Sequence, residues 1–143
     1  MARYTTTIAS PWSADDAFDY MADLRNFADW DPGVKRSVIT TGTEPGVGTA
    51  YKVTVALTDL TYKTLEFDRP KRTVAEAKTT FLRSYDIIEV TATDDGCEVF
   101  YDAELTMNGP LGLADPLLGL AFSRIGDKAA AGMAKALEGT KTQ

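Results

Sequence analysis

Any chemistry in this chain has to come from carboxylates and phenols. Its 143 residues hold no histidine and one cysteine, Cys97. That removes Ser-His-Asp and Cys-His nucleophile systems, every histidine-containing metal site and thiolate metal sites. Asp94-Asp95-Gly96 reads as a hairpin turn rather than a calcium loop, because no later acidic ligand follows at loop spacing. The expectation is therefore no metal and no cofactor. Asp86 and Glu66 are the two candidates for acid or base work. Over Leu82 to Thr93, period-two alternation puts Ser84, Asp86, Ile88 and Val90 on one face, opposite Arg83, Tyr85, Ile87 and Glu89. A carboxyl turned toward an apolar interior has a raised pKa and can exchange a proton with a ligand carbonyl, as a ring-closing or dehydrating reaction needs. Pairing with Arg83 or Lys78 is the alternative for Asp86. Tyr51, Tyr62 and Tyr101 offer an apolar body with one donor/acceptor tip, suited to a hydroxyl or carbonyl on an otherwise apolar ligand.

These residues need elements to hold them. Tyr4 to Ala9 reads as a first strand, ended by Pro11. Ser13-Ala-Asp-Asp16 opens a short helix carrying Ala17, Phe18 and Met21, and a second short helix runs from about Leu24 to Asp29. Six further strands follow: Val34–Thr41, Gly48–Leu57, Leu60–Phe67, Thr73–Thr80, Leu82–Thr93 and Cys97–Met107. Short connections imply antiparallel neighbours. Val99, Tyr101, Ala103, Leu105 and Met107 share a face. Leu60–Phe67 is ambiguous, with Tyr62, Thr64 and Glu66 set against Leu65 and Phe67. Gly46-x-Gly48 lacks a third glycine and leads into a strand, so it is a turn and not a dinucleotide fingerprint.

A long helix closes the chain, from Asp115-Pro116 to about Leu137. At 1.5 Å per residue its ~22 residues span ~33 Å, against a radius of gyration of roughly 14 to 15 Å for a compact chain of this size. Leu118, Ala121, Phe122, Ile125, Ala129, Gly132, Met133 and Ala136 form one stripe, bulky in its first half and mostly small in its second. Gly119, Gly126 and Gly132 each cost ~1 kcal/mol against alanine in a helix interior, which something must offset. One straight helix on a curved sheet leaves space beneath it, and that space is the expected cavity.

Composition narrows the field. Apolar content of 44% supports a core, and a net charge of −6 without a basic block argues against nucleic acid as a partner. No apolar stretch is long enough to span a bilayer, and the amino terminus has no apolar signal core. With a lone cysteine these features suit a cytoplasmic protein.

The stretch from Phe18 through Met-Ala-Asp-Leu-Arg-Asn-Phe-Ala-Asp-Trp-Asp-Pro32 resembles the two-helix opening of the START-like (SRPBCC) superfamily. Gly46-Val-Gly-Thr49, Glu66-Phe-Asp-Arg-Pro70, Ser84-Tyr-Asp86, Ala103 to Pro110 and Phe122 to Met133 continue the likeness, nearest to its polyketide cyclase/dehydrase and lipid transport group. The resemblance implies an α+β helix-grip fold in one domain: a curved seven-stranded antiparallel sheet around the C-terminal helix, with two short helices between the first two strands. It also implies a cavity for apolar or aromatic small molecules, with Trp30 near its mouth. The lining expected from these faces is Trp30, Tyr51, Val53, Tyr62, Ser84, Asp86, Ile88, Tyr101 and Ala103, with Leu118, Phe122 and Ile125 from the helix. Three functions follow: binding of a small hydrophobic or aromatic ligand (a lipid, polyketide or quinone), a metal-independent cyclase/dehydratase using Asp86 or Glu66, or a module that holds another protein.

Overall fold

The computed structural model of the chain describes residues 1–56, 58–108 and 115–142, and in the last helix the side chains from Gly119 onward. The elements run β1 Ala2–Ser10, α1 Ala14–Ala22, a 3-10 turn Leu24–Asn26, α2 Phe27–Trp30, β2 Arg36–Thr41, β3 Ala50–Thr54, β4 Asp59–Asp68, β5 Arg72–Lys78, β6 Leu82–Thr93, β7 Gly96–Met107, α3 Asp115–Ala136 and β8 Thr140–Lys141. The strands form one antiparallel sheet in the order β2-β3-β4-β5-β6-β7-β1-β8. The sheet has eight strands, not the seven expected. Beyond the end of α3 the chain returns as a two-residue strand against Ile8 and Ala9, too short to carry a periodic signal.

Local chemistry explains the helical layer. The Ser13 hydroxyl accepts from the Asp16 amide at 3.1 Å and starts α1. Ala17, Phe18, Met21 and Ala22 then turn one apolar face to the sheet. Asp23 ends α1 and caps the 3-10 turn through the Arg25 amide at 3.0 Å, and Phe27 and Trp30 follow one helical turn apart on the buried side of α2.

The buried stripe of the last helix is rotated from the one expected, sharing Ala129 and Met133 with it. Gly126, Ala129, Ala130, Met133 and Leu137 are covered, whereas Ile125 is 49% exposed and Leu120 69%. Close backbone contact sets this rotation. A Cβ on Gly126 would run into the Tyr4 ring, and one on Gly132 into the Trp30 carbonyl, while Gly119 has open space around it. The two seated glycines let α3 approach β1 and α2 more closely than any side chain permits, which offsets their propensity cost. Leu118, the Asp115-Pro116 helix cap and Leu57 lie outside the described side chains.

Candidate active site

Asp86, Tyr101 and Ser84 sit on one face of β6 and β7, turned toward the helices. Ser84 pairs across the sheet with Ala77, Asp86 with Ala75 and Ala103, and Ile88 with Thr73 and Tyr101. The Tyr101 hydroxyl donates to Asp86 Oδ2 at 3.2 Å, and the Ser84 hydroxyl to Asp86 Oδ1 at 3.4 Å. Tyr62 on β4 donates to Ser84 Oγ at 2.9 Å. The result is a buried chain, Tyr62–Ser84–Asp86–Tyr101, in which the carboxyl accepts from both sides and, among the described residues, no cation is bonded to it.

Two further aromatic rings, Phe27 and Trp30, cover this chain and pack on its own two phenol rings. Phe27 and Trp30 stack at 4.7 Å, Trp30 meets Tyr101 edge-on at 5.4 Å, and Phe27 meets Tyr62 edge-on at 5.8 Å. The helical turn after α1 thus supplies the roof and the sheet supplies the floor. The carboxyl is removed from bulk solvent, and the electrostatic consequence is large. Burial pushes the Asp86 carboxyl up from its ordinary 3.8 to about 7, with nearby Asp31 adding to the rise and the bonds from Tyr101 and Ser84 opposing it. The Tyr62 and Tyr101 phenols are pushed well above their ordinary value, first by burial and then by the charge of Asp86. Near neutral pH Asp86 therefore exists in both protonation states, which lets one group donate to a ligand oxygen or accept from a hydroxyl.

The hollow beneath the rings is small. It measures about 10 Å³, room for one water. Trp30, Asp86, Ile88 and Tyr101 line it from the expected set, joined by Ala22, Leu24, Phe27, Thr64, Thr73 and Ala75. The expectation of a roomy cavity under the C-terminal helix is corrected in two respects: this space is nearly filled, and among the described residues α1, the 3-10 turn, α2 and the sheet line it and α3 does not. Phe122 is partly buried against the core, and Ile125 faces a shallow groove beside Asp31 and Lys128. Neither reaches the hollow, because α3 is rotated onto its glycines. Tyr51 and Val53 are core residues on β3, and Ala103 lies beside Asp86 across the strand pair. Burial pushes the Tyr51 phenol up to about 12. Trp30 is 1% exposed and packs as the roof, not at a mouth.

Glu66 is excluded from the site by a bulge. The pairing of β4 with β5 shifts between Thr64 and Glu66, and the extra residue turns Glu66 outward to an ion pair with Arg72 at 3.4 Å. Phe67 takes the inner position and packs edge-on against Phe18 at 5.3 Å. Arg83 and Lys78 do not pair with Asp86. Arg83 bonds Glu76 on the outer face, as the alternation of β6 requires. Among the lining residues not anticipated, Phe27 carried a signal, being one helical turn before Trp30. Thr73 carried none, since its place opposite Ile88 depends on strand register.

A large antiparallel sheet gripping a terminal helix, with short helices roofing its inner face, defines a START-like helix-grip protein. Within that class, the chain belongs to the polyketide cyclase / dehydrase and lipid transport family, whose signature spans residues 1–138. It is similar in fold to a START superfamily protein from Mycobacterium smegmatis, at 11% identity over 96% of each chain and a TM-score of 0.75. It is also similar to the hypothetical protein jhp0584 from Helicobacter pylori, at 9% identity over 94% of this chain and 87% of that one, TM-score 0.76. A third likeness is to the di-domain ARO/CYC BexL from the BE-7585A biosynthetic pathway, at 15% identity over 95% of this chain and 50% of that one, TM-score 0.69. At these identities the likeness is one of fold. No curated protein matches the sequence. Among the described residues no helix is long and apolar enough to cross a membrane.

Proposed function

We propose that this chain binds a small, uncharged hydrophobic or aromatic molecule bearing a carbonyl or hydroxyl group on the inner face of the sheet, with Asp86 as its polar anchor. The observation that carries this reading is the Tyr62–Ser84–Asp86–Tyr101 chain held under the Phe27 and Trp30 rings with, among the described residues, no cation bonded to the carboxyl. The rings suit a planar apolar skeleton, and the carboxyl with its hydroxyls suits one oxygen on it. Because the hollow is about 10 Å³, the rings must shift to admit a ligand, so association is slow relative to an open pocket. The buried, unbridged Cys97 is consistent with a reducing cytoplasm.

A second reading, cyclase or dehydratase chemistry, is favoured by the protonation of Asp86. A carboxyl near 7 can take a proton from a ligand carbon or hydroxyl and return it to the leaving oxygen. Titration of Trp30 fluorescence with 1,3-dihydroxynaphthalene, 1,4-naphthoquinone and palmitate tests the first reading. Saturable binding of the naphthalenes that weakens in Asp86→Asn is the expected result. No saturation up to the solubility limit of all three ends it. Turnover of a linear polyketide thioester analogue that vanishes in Asp86→Asn, while the naphthalenes still bind, selects the second.

A further inference from the structure

The hollow under the rings has one wall in common with the surface. Ala22, at the end of α1 and 4% exposed, lines it from inside. The same residue lines, from outside, a groove of about 340 Å³. This groove runs between the end of α1 (Asp19, Asp23), the β2–β3 turn (Glu44, Pro45) and the end of β4 (Phe67, Arg69). The grooves beside Ile125, beside Phe100 and beside Cys97 share no residue with the hollow. An alanine is a thin partition. Over it Arg69 holds Asp19 through bonds of 2.6 and 2.8 Å, tying the β4–β5 turn to α1. Both side chains are about half exposed, and an ion pair of that kind is a weak tie. The groove also has a sign. Asp19, Asp23 and Glu44 line it with Arg69. Arg69 pairs with Asp19 and Arg25 with Asp23 at 2.8 Å, so Glu44 carries the excess negative charge, and among the described residues the hollow behind it is lined by a carboxyl and no cation. Such a passage disfavours anions.

We infer that this groove is the mouth of the interior site, with Ala22 as its partition and Arg69–Asp19 as its latch, and that it passes uncharged or cationic small molecules in preference to anions. The biological meaning rests on the ligand reading above, but the route is measurable without a ligand. Trp12→Phe leaves Trp30 as the only tryptophan, placed on the hollow. In that background the quenching of Trp30 by acrylamide, a neutral probe, and by iodide, an anion, reports access.

Arg69→Ala is expected to raise the acrylamide quenching constant at least twofold, and Ala22→Leu to lower it at least threefold. Ile125→Phe, beside the unconnected groove, is expected to leave it unchanged. Iodide is expected to quench several-fold less than acrylamide, and Glu44→Lys to narrow that gap. Arg69 is exposed and its removal leaves the core intact, so an unchanged constant in Arg69→Ala overturns the route even if Ala22→Leu does not fold. A larger response to Ile125→Phe overturns it as well, and iodide equal to acrylamide overturns the charge selection. Failure of the naphthalenes to bind while quenching behaves as expected removes the ligand reading and leaves the mouth. Binding without the quenching responses does the reverse.

Discussion

Asp86 and Asp102 lie on adjacent strands and opposite faces of the sheet, 8% and 5% exposed. Asp102, on the outer face, receives two bonds from the Arg3 guanidinium at 2.9 and 2.7 Å. Asp86, on the inner face, receives hydroxyl bonds only. The first arrangement sets a carboxylate against a guanidinium fork and ties β1 to β7. The second leaves the carboxyl's charge uncompensated and its proton transferable. Burial without a cation is what raises the Asp86 pKa and makes this carboxyl the candidate acid of the proposed function.

The largest expected effect comes from removing the uncompensated charge. Below about pH 4 folded and unfolded chains both hold the Asp86 proton. Between the ordinary 3.8 and about 7 the unfolded chain ionises and the folded one does not, so stability falls as pH rises. Above 7 the loss is complete and on the order of 4 kcal/mol. Asp86→Asn should then be more stable than the parent at pH 8 in urea unfolding, with the gap closing toward pH 4. A variant less stable at pH 8 would erase the contrast between the two faces. Asp102→Asn should act with the opposite sign, lowering Tm at pH 8 by a few degrees because the Arg3 fork is lost. Differential scanning calorimetry of the two variants side by side makes the comparison direct.

Tyr101→Phe removes a bond that holds the Asp86 pKa down. Its expected effect is a carboxyl titration above that of the parent, read by carbon-detected NMR, with a stability loss of about 1 kcal/mol at neutral pH. The smallest effect is expected for Glu66→Gln. Its carboxyl points outward, so stability should stay within about 0.5 kcal/mol and naphthalene binding should not change. A loss of binding there would return Glu66 to the inner face and contradict the β4 bulge.

The facing of β7 was legible from its alternation through Val99, Tyr101 and Ala103, while that of β6, through Ser84, Asp86 and Ile88, was less clean because Tyr85 and Ile87 put apolar residues on the other face too. The α1 start was legible from Ser13 and Asp16, whose bond is local. The long helix was legible in extent but not in rotation. Its apolar stripe placed Gly132, Ala129 and Met133 inward as found, but also Ile125, whereas contact with the Tyr4 ring turned Gly126 inward in its place. A glycine carries no hydropathy signal, so the seat at Gly126 is one the periodicity could not see.

The sequence by itself determined which residue types could act. Without histidine, and with carboxyls and phenols at alternating strand positions, it pointed to a proton-exchanging apolar site in a helix-grip fold. Only the tertiary structure decided which carboxyl faces inward, since one bulged residue in β4 reverses every side chain after it. It also decided that the inner carboxyl goes without a cation and that the space beside it is nearly closed. Those features depend on distances between residues remote in the chain, and no local pattern encodes them.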